Sequence, residues 1–544
     1  MKNIFKAGFL FALASSMALT SCMEEVEPTQ SVSQSQLESS VKAGEAMLYA
    51  MPGFMNNWNT TGAEWHGDFG YPSMMHIRDC MTGDMSLLQR GSNYNQWSNY
   101  TRIVYLGQNY ASVQRIWNYY NKQVLACNKA AGAFPEGAED DYSKGARAAA
   151  LTYRAMIYLD LARWYEFLPN NNTSPINANG NNVEGLTVPI VTELTTEEEA
   201  RNNPRATHAD MSKFILSDLD YAEQNISKAS FGTISMPDLA CVYGLKARLY
   251  MWNEDYANAA KYAQMAIQES GCRPLNKAEW TNVTTGFNSY DNPSWMWGIK
   301  CEKENDVVQT GICNWTSMMS AETEYGYAAV LSLPYLGPGA CPTVANSMYD
   351  RVSDTDFRKL SWIAPKGGAL VNDFPLIDED SRAYFVNYGE YCAIKFRPGN
   401  GNTSDPNEGS ATAVPVMRVE EMWFNYIESV AHTNPAEGKR LIEEFMKAYR
   451  DPNYTCSATG AADLVEEIVF QKRVELWGEG HTLFDIKRLN YSVTRDYEGS
   501  NFLVDSRKNT IGRPAWMNMV IVQSEGNSNA GVAGWNNPDI PDNY

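Results

Sequence analysis

LACVYGLKARLYMWNEDYANAAKYAQMAIQES, residues 239–270, is the stretch from which the fold can be read. It divides into two helical runs of similar length about Asn253–Glu254–Asp255, residues that favour turns and helix starts. Tyr243 and Tyr250 stand about two helical turns apart in the first run, with small Ala247 between them. Ala259 and Ala266 repeat the small positions in the second run. Small side chains at that spacing let two antiparallel helices approach closely, which predicts a helical hairpin.

The spacing fits the tetratricopeptide template. Lys246, where leucine is usual, and Ala263, where a large aromatic is usual, depart from it. Working outward, Ala146, Ala150, Tyr153, Ile157, Leu161, Trp164 and Leu168 recur at steps of three and four, a buried helical stripe. A second hairpin is expected at Val419–His432 and Ala436–Tyr449, with Asn434–Pro435 between. Further helices are expected over about 36–50, 108–129, 208–226 and 461–477. Consecutive hairpins predict a short right-handed solenoid along one side of the molecule.

Long polar segments rich in Gly, Asn and Pro interrupt this pattern at 52–102, 272–345 and 365–415. They are too long to be mere connections. They carry many of the 15 Trp and 31 Tyr, including Trp58, Trp65, Trp97, Tyr290, Trp315 and Tyr325, so they read as binding loops on a rigid scaffold. Trp117, Trp164, Trp252, Trp423 and Trp477 fall in helices and are expected in the core. Trp295 and Trp297 alternate as in a strand, and burial is the favoured reading for both.

The net charge of −20 argues against nucleic acid or an anionic membrane surface as partner. Nine cysteines besides Cys22 are scattered singly, a poor disulfide framework; one or two bridges are expected, with the remaining thiols as small buried hydrophobes. The five histidines, His66, His76, His208, His432 and His481, show no metal-ligand spacing. No metal site or cofactor is expected, although loop carboxylates and carbonyls would suit a structural calcium.

Residues 1–21 combine Lys2 and Lys6 with an apolar run and a small-residue stop, which describes a secretory signal too short to span a bilayer. Leu19–Thr20–Ser21–Cys22 resembles a bacterial lipobox, which implies a lipidated Cys22. Residues 22–35 read as a flexible tether. Glu24 and Glu25 resemble the signal that sends Bacteroidetes lipoproteins to the outer cell surface.

Residues 470–490, FQKRVELWGEGHTLFDIKRLN, resemble the C-terminal signature of the SusD/RagB family. The matching places are Lys472 and Arg473, Glu475–Leu476, Trp477, Glu479–Gly480, His481, Phe484–Asp485 and Lys487–Arg488. Arg147–Leu168, Gly185–Ile190 and Asp354–Arg358 resemble the family in the same order. Read physically, Glu475, Glu479, Asp485 and Arg488 are expected to pair with one another across a helix-turn-helix corner opened by Gly478 and Gly480, a structural role and not catalysis.

The resemblance implies a mainly α fold: a tetratricopeptide-like helical-hairpin scaffold with a loop-rich irregular half and few short strands. Although length alone would allow two to four domains, residues 36–544 are expected as one, with helices over about 36–50, 108–168, 208–270 and 419–490. It implies no catalytic machinery. It also implies a lipid-anchored, surface-exposed outer-membrane protein that captures oligosaccharides or polysaccharides for a SusC-like TonB-dependent transporter. A peptide-binding member of the family, a pure docking protein and a glycan-degrading enzyme are the alternatives; two carboxylates suited to the last cannot be singled out among 64 acids.

Sugars are held by aromatic rings on their C–H faces and by amides or carboxylates at their hydroxyl rims. By its position the stretch 91–100 looks like the family's binding loop, with Trp97 and Tyr94 as platforms and Asn95 and Asn99 as rim partners. Trp315 and Tyr335 are the next candidates, with Asp68 and Arg78 as polar contacts. Packing of Trp97 and Trp315 beneath their own turns remains the alternative.

Overall fold

In the computed structural model, residues 41–62, 65–90, 97–331 and 339–539 are described. The expected signal peptide, Cys22 and the tether lie outside the described residues. The helices that matter here are α1 (Val41–Met55), α2 (Tyr71–Cys80), α3 (Trp97–Arg102), α4 (Ala111–Ala133), α5 (Asp141–Tyr165) and α6 (His208–Asn225). They continue as α7 (Leu239–Trp252), α8 (Tyr256–Ser270), α9 (Trp315–Met319), α10 (Val419–Thr433), α11 (Pro435–Tyr449), α12 (Ala461–Glu475) and α13 (Thr482–Leu489).

The hairpin expected at 239–270 is α7 and α8, its turn closed by Glu254 in a left-handed conformation. Packing then runs from α1 to α4, α5, α6, α7 and α8, and on to α10, α11 and α12, so the hairpins form one continuous layer. Side chains at the starts hold several of these helices. Asp140 accepts from the Ser143 N–H at 2.8 Å, Asp238 from Cys241 at 3.0 Å and Asp255 from Asn258 at 3.1 Å. Each such cap contributes about 1 kcal/mol. Lys246, the template mismatch, is buried in the hairpin and reaches back to Asp220 at 2.6 Å and to Glu223 on α6, so a cation joins two helices where leucine would pack.

α5 is buried almost all round and not only along the expected stripe, because α4 and α6 flank it and the segment near Met519 bonds to its last turn. Of the tryptophans expected in the helical core, Trp117, Trp164, Trp252 and Trp477 are buried and Trp423 is half-buried.

Short antiparallel pairs join β1 (Met85–Leu87) to β3 (Pro342–Val344) and β2 (Trp295–Lys300) to β4 (Ala413–Arg418). Both Trp295 and Trp297 are buried, as is Met296 between them, so β2 is enclosed on both faces; a bulge in the pairing lies between them.

Two expectations need correction. The segment 52–102 contains α2, all ten residues of which are buried, as well as β1 and α3. A helix enclosed on every side shows no amphipathic period, and its only sequence mark is Pro72 in the first turn. All nine described cysteines are free, eight of them buried, so the expected one or two bridges are absent among the described residues.

The 470–490 segment forms the corner between α12 and α13, with Gly478 and Gly480 at φ 81° and 74°. A Cβ on Gly480 would lie 2.7 Å from the Met75 Cα, so the corner packs backbone to backbone on α2. Glu475 and Glu479 are buried here, but their partners come from elsewhere in the chain. Arg450 binds Glu475 at 2.7 and 2.8 Å, and Arg418 binds Glu479 at 2.8 and 2.9 Å. Lys395 adds a bond to Glu479 at 2.7 Å. Arg358, held by Asp356 at 2.6 Å, reaches Glu475 at 3.3 Å, which draws the 354–358 stretch into the same network. Asp485 pairs with Lys472 at 2.8 Å and Arg488 at 2.9 Å.

Candidate functional site

The 56–69 loop is closed on itself by Asp68. Its Oδ2 accepts from both the N–H and the hydroxyl of Thr61 at 2.7 Å, and Asn59, at φ 56°, donates its N–H to the Asp68 carbonyl. The carboxylate is fully buried. The Trp65 ring lies flat over Gly67, where a Cβ would come within 2.4 Å of it, so only glycine fits beneath this ring. Its other contacts are Trp97, with centroids 5.3 Å apart, and the Arg115 guanidinium at 4.4 Å.

Trp97, the first candidate platform, is 0 % exposed. It packs among Trp65, Phe69, His76 and Tyr100, and its Nε1 lies 3.1 Å from Met318 Sδ on α9. A ring with no exposed face cannot stack on a ligand, so Trp97 is corrected from platform to base. Burial pushes His76, 4.3 Å from it, down to about 3 and keeps that imidazole neutral.

Trp315 is likewise core, 3 % exposed and edge-on to Phe396 at 5.0 Å. Arg78 is buried against Asp160 at 2.7 Å and donates to Tyr120 at 3.0 Å and Tyr71 at 3.2 Å. Burial favours the neutral acid of Asp160, but the Arg78 charge outweighs it and holds the carboxyl below the usual range. Arg78 and Asp68 are therefore corrected from ligand contacts to ties that hold the frame.

Asn99 is half-buried, and its Oδ1 accepts from Arg102 at 3.1 Å. Tyr94, Asn95 and Tyr335 lie outside the described residues.

The structure brings together the two loop regions that the sequence singled out. Trp97 meets Met318, and the Tyr327 hydroxyl lies 2.6 Å from His66 Nδ1, with rings 5.9 Å apart. Trp58 adjoins Cys313. Trp58, His66 and Tyr327 are half-buried; the Trp58 indole N–H is itself enclosed, so the polar groups here are those of the His66–Tyr327 pair. Burial lowers the His66 pKa, which leaves a neutral imidazole to share a hydrogen bond with Tyr327. Tyr327 is held from behind: its N–H donates to the Ser317 carbonyl at 2.9 Å and its own carbonyl accepts from Ala340 at 2.7 Å.

The arrangement is a polar-edged aromatic rim over an aromatic base. Sequence reasoning placed Trp58 in these loops but passed over His66 and Tyr327, because neither residue type is diagnostic without its neighbour. Glu479 and His481 form no acid–base pair. Both Glu479 oxygens are taken by Arg418 and Lys395, and burial pushes His481 down to about 4. Among the described residues no group of three or more His, Cys, Asp or Glu side chains is placed to hold a metal ion, and no helix is long and apolar enough to cross a membrane.

Comparison with known proteins gives two family matches in separate parts of the chain. Residues 345–525 match the model described as SusD family, and residues 71–251 match one described as starch-binding associating with outer membrane. No curated protein sequence matches the chain. Among solved structures, a SusD-like carbohydrate-binding protein from Bacteroides vulgatus superposes with a TM-score of 0.69 at 19% identity, covering 92% of this chain and 98% of its own. A SusD-like carbohydrate-binding protein from Bacteroides fragilis gives 0.64 at 16% identity, covering 91% and 99%. Surface glycan-binding protein A from Bacteroides uniformis gives 0.64 at 16% identity, covering 92% and 99%. Those likenesses establish the fold. With the family matches on either side of the loop region and the 470–490 corner in place, the chain belongs to the SusD family.

Proposed function

We propose that this chain is a surface glycan-binding lipoprotein of the outer membrane. Cys22 carries the lipid anchor, and the bound oligosaccharide or polysaccharide passes to a SusC-like TonB-dependent transporter. The observation that carries this reading is the rim: the half-buried His66–Tyr327 pair next in the chain to the buried Trp65–Trp97 base, with half-buried Trp58 in the same 56–69 loop. Rings fixed in this way lose little freedom when a sugar stacks on them. Tyr94, Asn95, Asn99 and Tyr335 are proposed as further contacts from the same loops. The family, and similar structures that are themselves carbohydrate-binding proteins, support the same ligand class.

The protein is read as a binder and not an enzyme. Two of the carboxylates that could be suspected of catalysis serve the frame, Asp68 through Thr61 in the 56–69 loop and Asp160 through Arg78 in the helical layer. A glycan-array screen of residues 23–544, with chromatography of every hit, tests this. Binding without products is expected. Products would make the protein an enzyme, and silence across the array with capture of peptides would make it a peptide binder.

A further inference from the structure

Two cavities of about 540 and 490 Å³ lie on either side of Tyr290 and share Gly232, Thr233, Met236 and Tyr290 as their common wall. None of these residues belongs to the rim of Trp58, His66 and Tyr327. We propose that this double groove is a second glycan subsite, selective for neutral sugar chains, with Tyr290 as its stacking ring; the proposal rests on the glycan-binding reading above.

Tyr290 is half-buried and held in place, its hydroxyl bonded to Ser235 at 2.9 Å and to Thr233. A ring fixed by its tip keeps its orientation when a ligand arrives. Across the second cavity stands Tyr49, 47 % exposed on α1. Asn305 lines the same cavity, its Oδ1 held by the buried Asn56 amide at 2.9 Å and by the Glu302 N–H at 2.6 Å, which leaves its Nδ2 to donate. Two aromatic rings and a side-chain amide lining one groove suit a sugar ring, and each cavity lies within the size range of small-molecule sites.

The first cavity is backed by a buried ring. Trp295 lines it, is 2 % exposed, and its Nε1 has no hydrogen-bond partner. That N–H is itself enclosed, so Trp295 offers the cavity its ring and not a donor. The charge of the walls sets the ligand class. Asp238, Glu269, Asp291 and Glu302 face Lys300 as the one cation among the lining residues. Lys300 is itself paired with Glu302 at 2.8 Å. Carboxylates accept hydrogen bonds from sugar hydroxyls but repel uronates and sulfated sugars. A chain of neutral residues therefore fits, and an acidic one does not.

The test uses the full chain in detergent micelles with four neutral probes, maltoheptaose, mannohexaose, xylohexaose and cellohexaose, and one acidic probe, a polygalacturonate fragment. Titration calorimetry on the neutral probe that binds is expected to fit two sites per chain. Tyr290→Ala and the exposed-ring variant Tyr49→Ala are expected to remove one site while Trp58→Ala removes the other. Polygalacturonate is expected to leave the Tyr290 site empty. One site in the wild type, unaffected by Tyr290→Ala and Tyr49→Ala and lost in Trp58→Ala, would overturn this inference and leave the primary reading intact. Silence of all four neutral probes would overturn this inference, and the glycan array then decides the primary reading on its own.

Discussion

Arg418 and Glu479 lie side by side, with guanidinium Nε and Nη2 at 2.8 and 2.9 Å from the two carboxylate oxygens, both side chains buried. The pair ties the end of β4 to the corner between α12 and α13, and through Gly480 to α2 beneath the candidate site. The signature motif near the C-terminus thus serves the binding face from a distance, by fixing the layer on which it stands.

Glu479→Ala leaves Arg418 and Lys395 buried without their shared partner. The expected loss of stability is on the order of 3–5 kcal/mol. Calorimetric melting checks this, and the folded fraction is expected to keep its ligand affinity. Unchanged melting with lost affinity would place Glu479 in the site instead.

Base and rim separate by mutation. Trp97→Ala empties a fully buried position and is expected to cost about 3–5 kcal/mol. Trp58→Ala and Tyr327→Ala remove half-buried rings; they are expected to weaken glycan binding about tenfold or more with a much smaller change in melting. Melting curves and titrations on the same samples distinguish the two classes.

Asp79 gives a pH signature. Burial holds its carboxyl up at about 8, against 3.8 in an open chain, although the Gly480 N–H donates to it at 2.8 Å. Between those values the folded chain keeps a proton that the unfolded chain sheds, so the Asp79 contribution falls as pH rises from about 4 to 8. Asp79→Asn removes that slope. The variant is expected to melt above the wild type at pH 8, with the difference narrowing towards pH 5.

Glu421 behaves in the opposite sense. Burial alone would raise its carboxyl, but Arg248, with two bonds of 2.6 Å, outweighs that and brings it to about 2, below its ordinary 4.5. The stability it contributes is complete above about pH 4.5 and is lost as pH falls towards 2. Glu421→Gln is expected to lower the melting temperature at pH 7, with a smaller deficit at pH 3.

The free thiols predict that a reductant leaves the melting temperature unchanged. Thiol-reactive dye is expected to label Cys80 or Cys127 only on unfolding, since burial also pushes these thiols up, Cys127 to about 12. A reductant-sensitive melt would contradict the absence of bridges.

The sequence was most legible where one face of an element is buried. The α7–α8 hairpin and α10–α11 carry a period that local spacing reveals, so their limits fall within a few residues of those expected. It was least legible where burial is complete. α2 shows no period, and Trp97 looks like a loop aromatic until Trp65, His76 and Met318 close around it from distant segments. The partners of Glu475 and Glu479 were equally hidden, because Arg450, Arg418 and Lys395 come from other parts of the chain. The rim shares this difficulty: His66 and Tyr327 become a pair only once two loops 261 positions apart meet.

The most direct test of the central claim is a calorimetric titration of residues 23–544 with the strongest glycan-array hit, in the wild type and in Trp58→Ala. The account predicts saturable binding in the wild type, no products afterwards, and affinity weakened about tenfold or more in a variant that melts close to the wild type. Equal affinity in the two proteins would remove the rim from the site, and the absence of any glycan that binds would contradict the function proposed here.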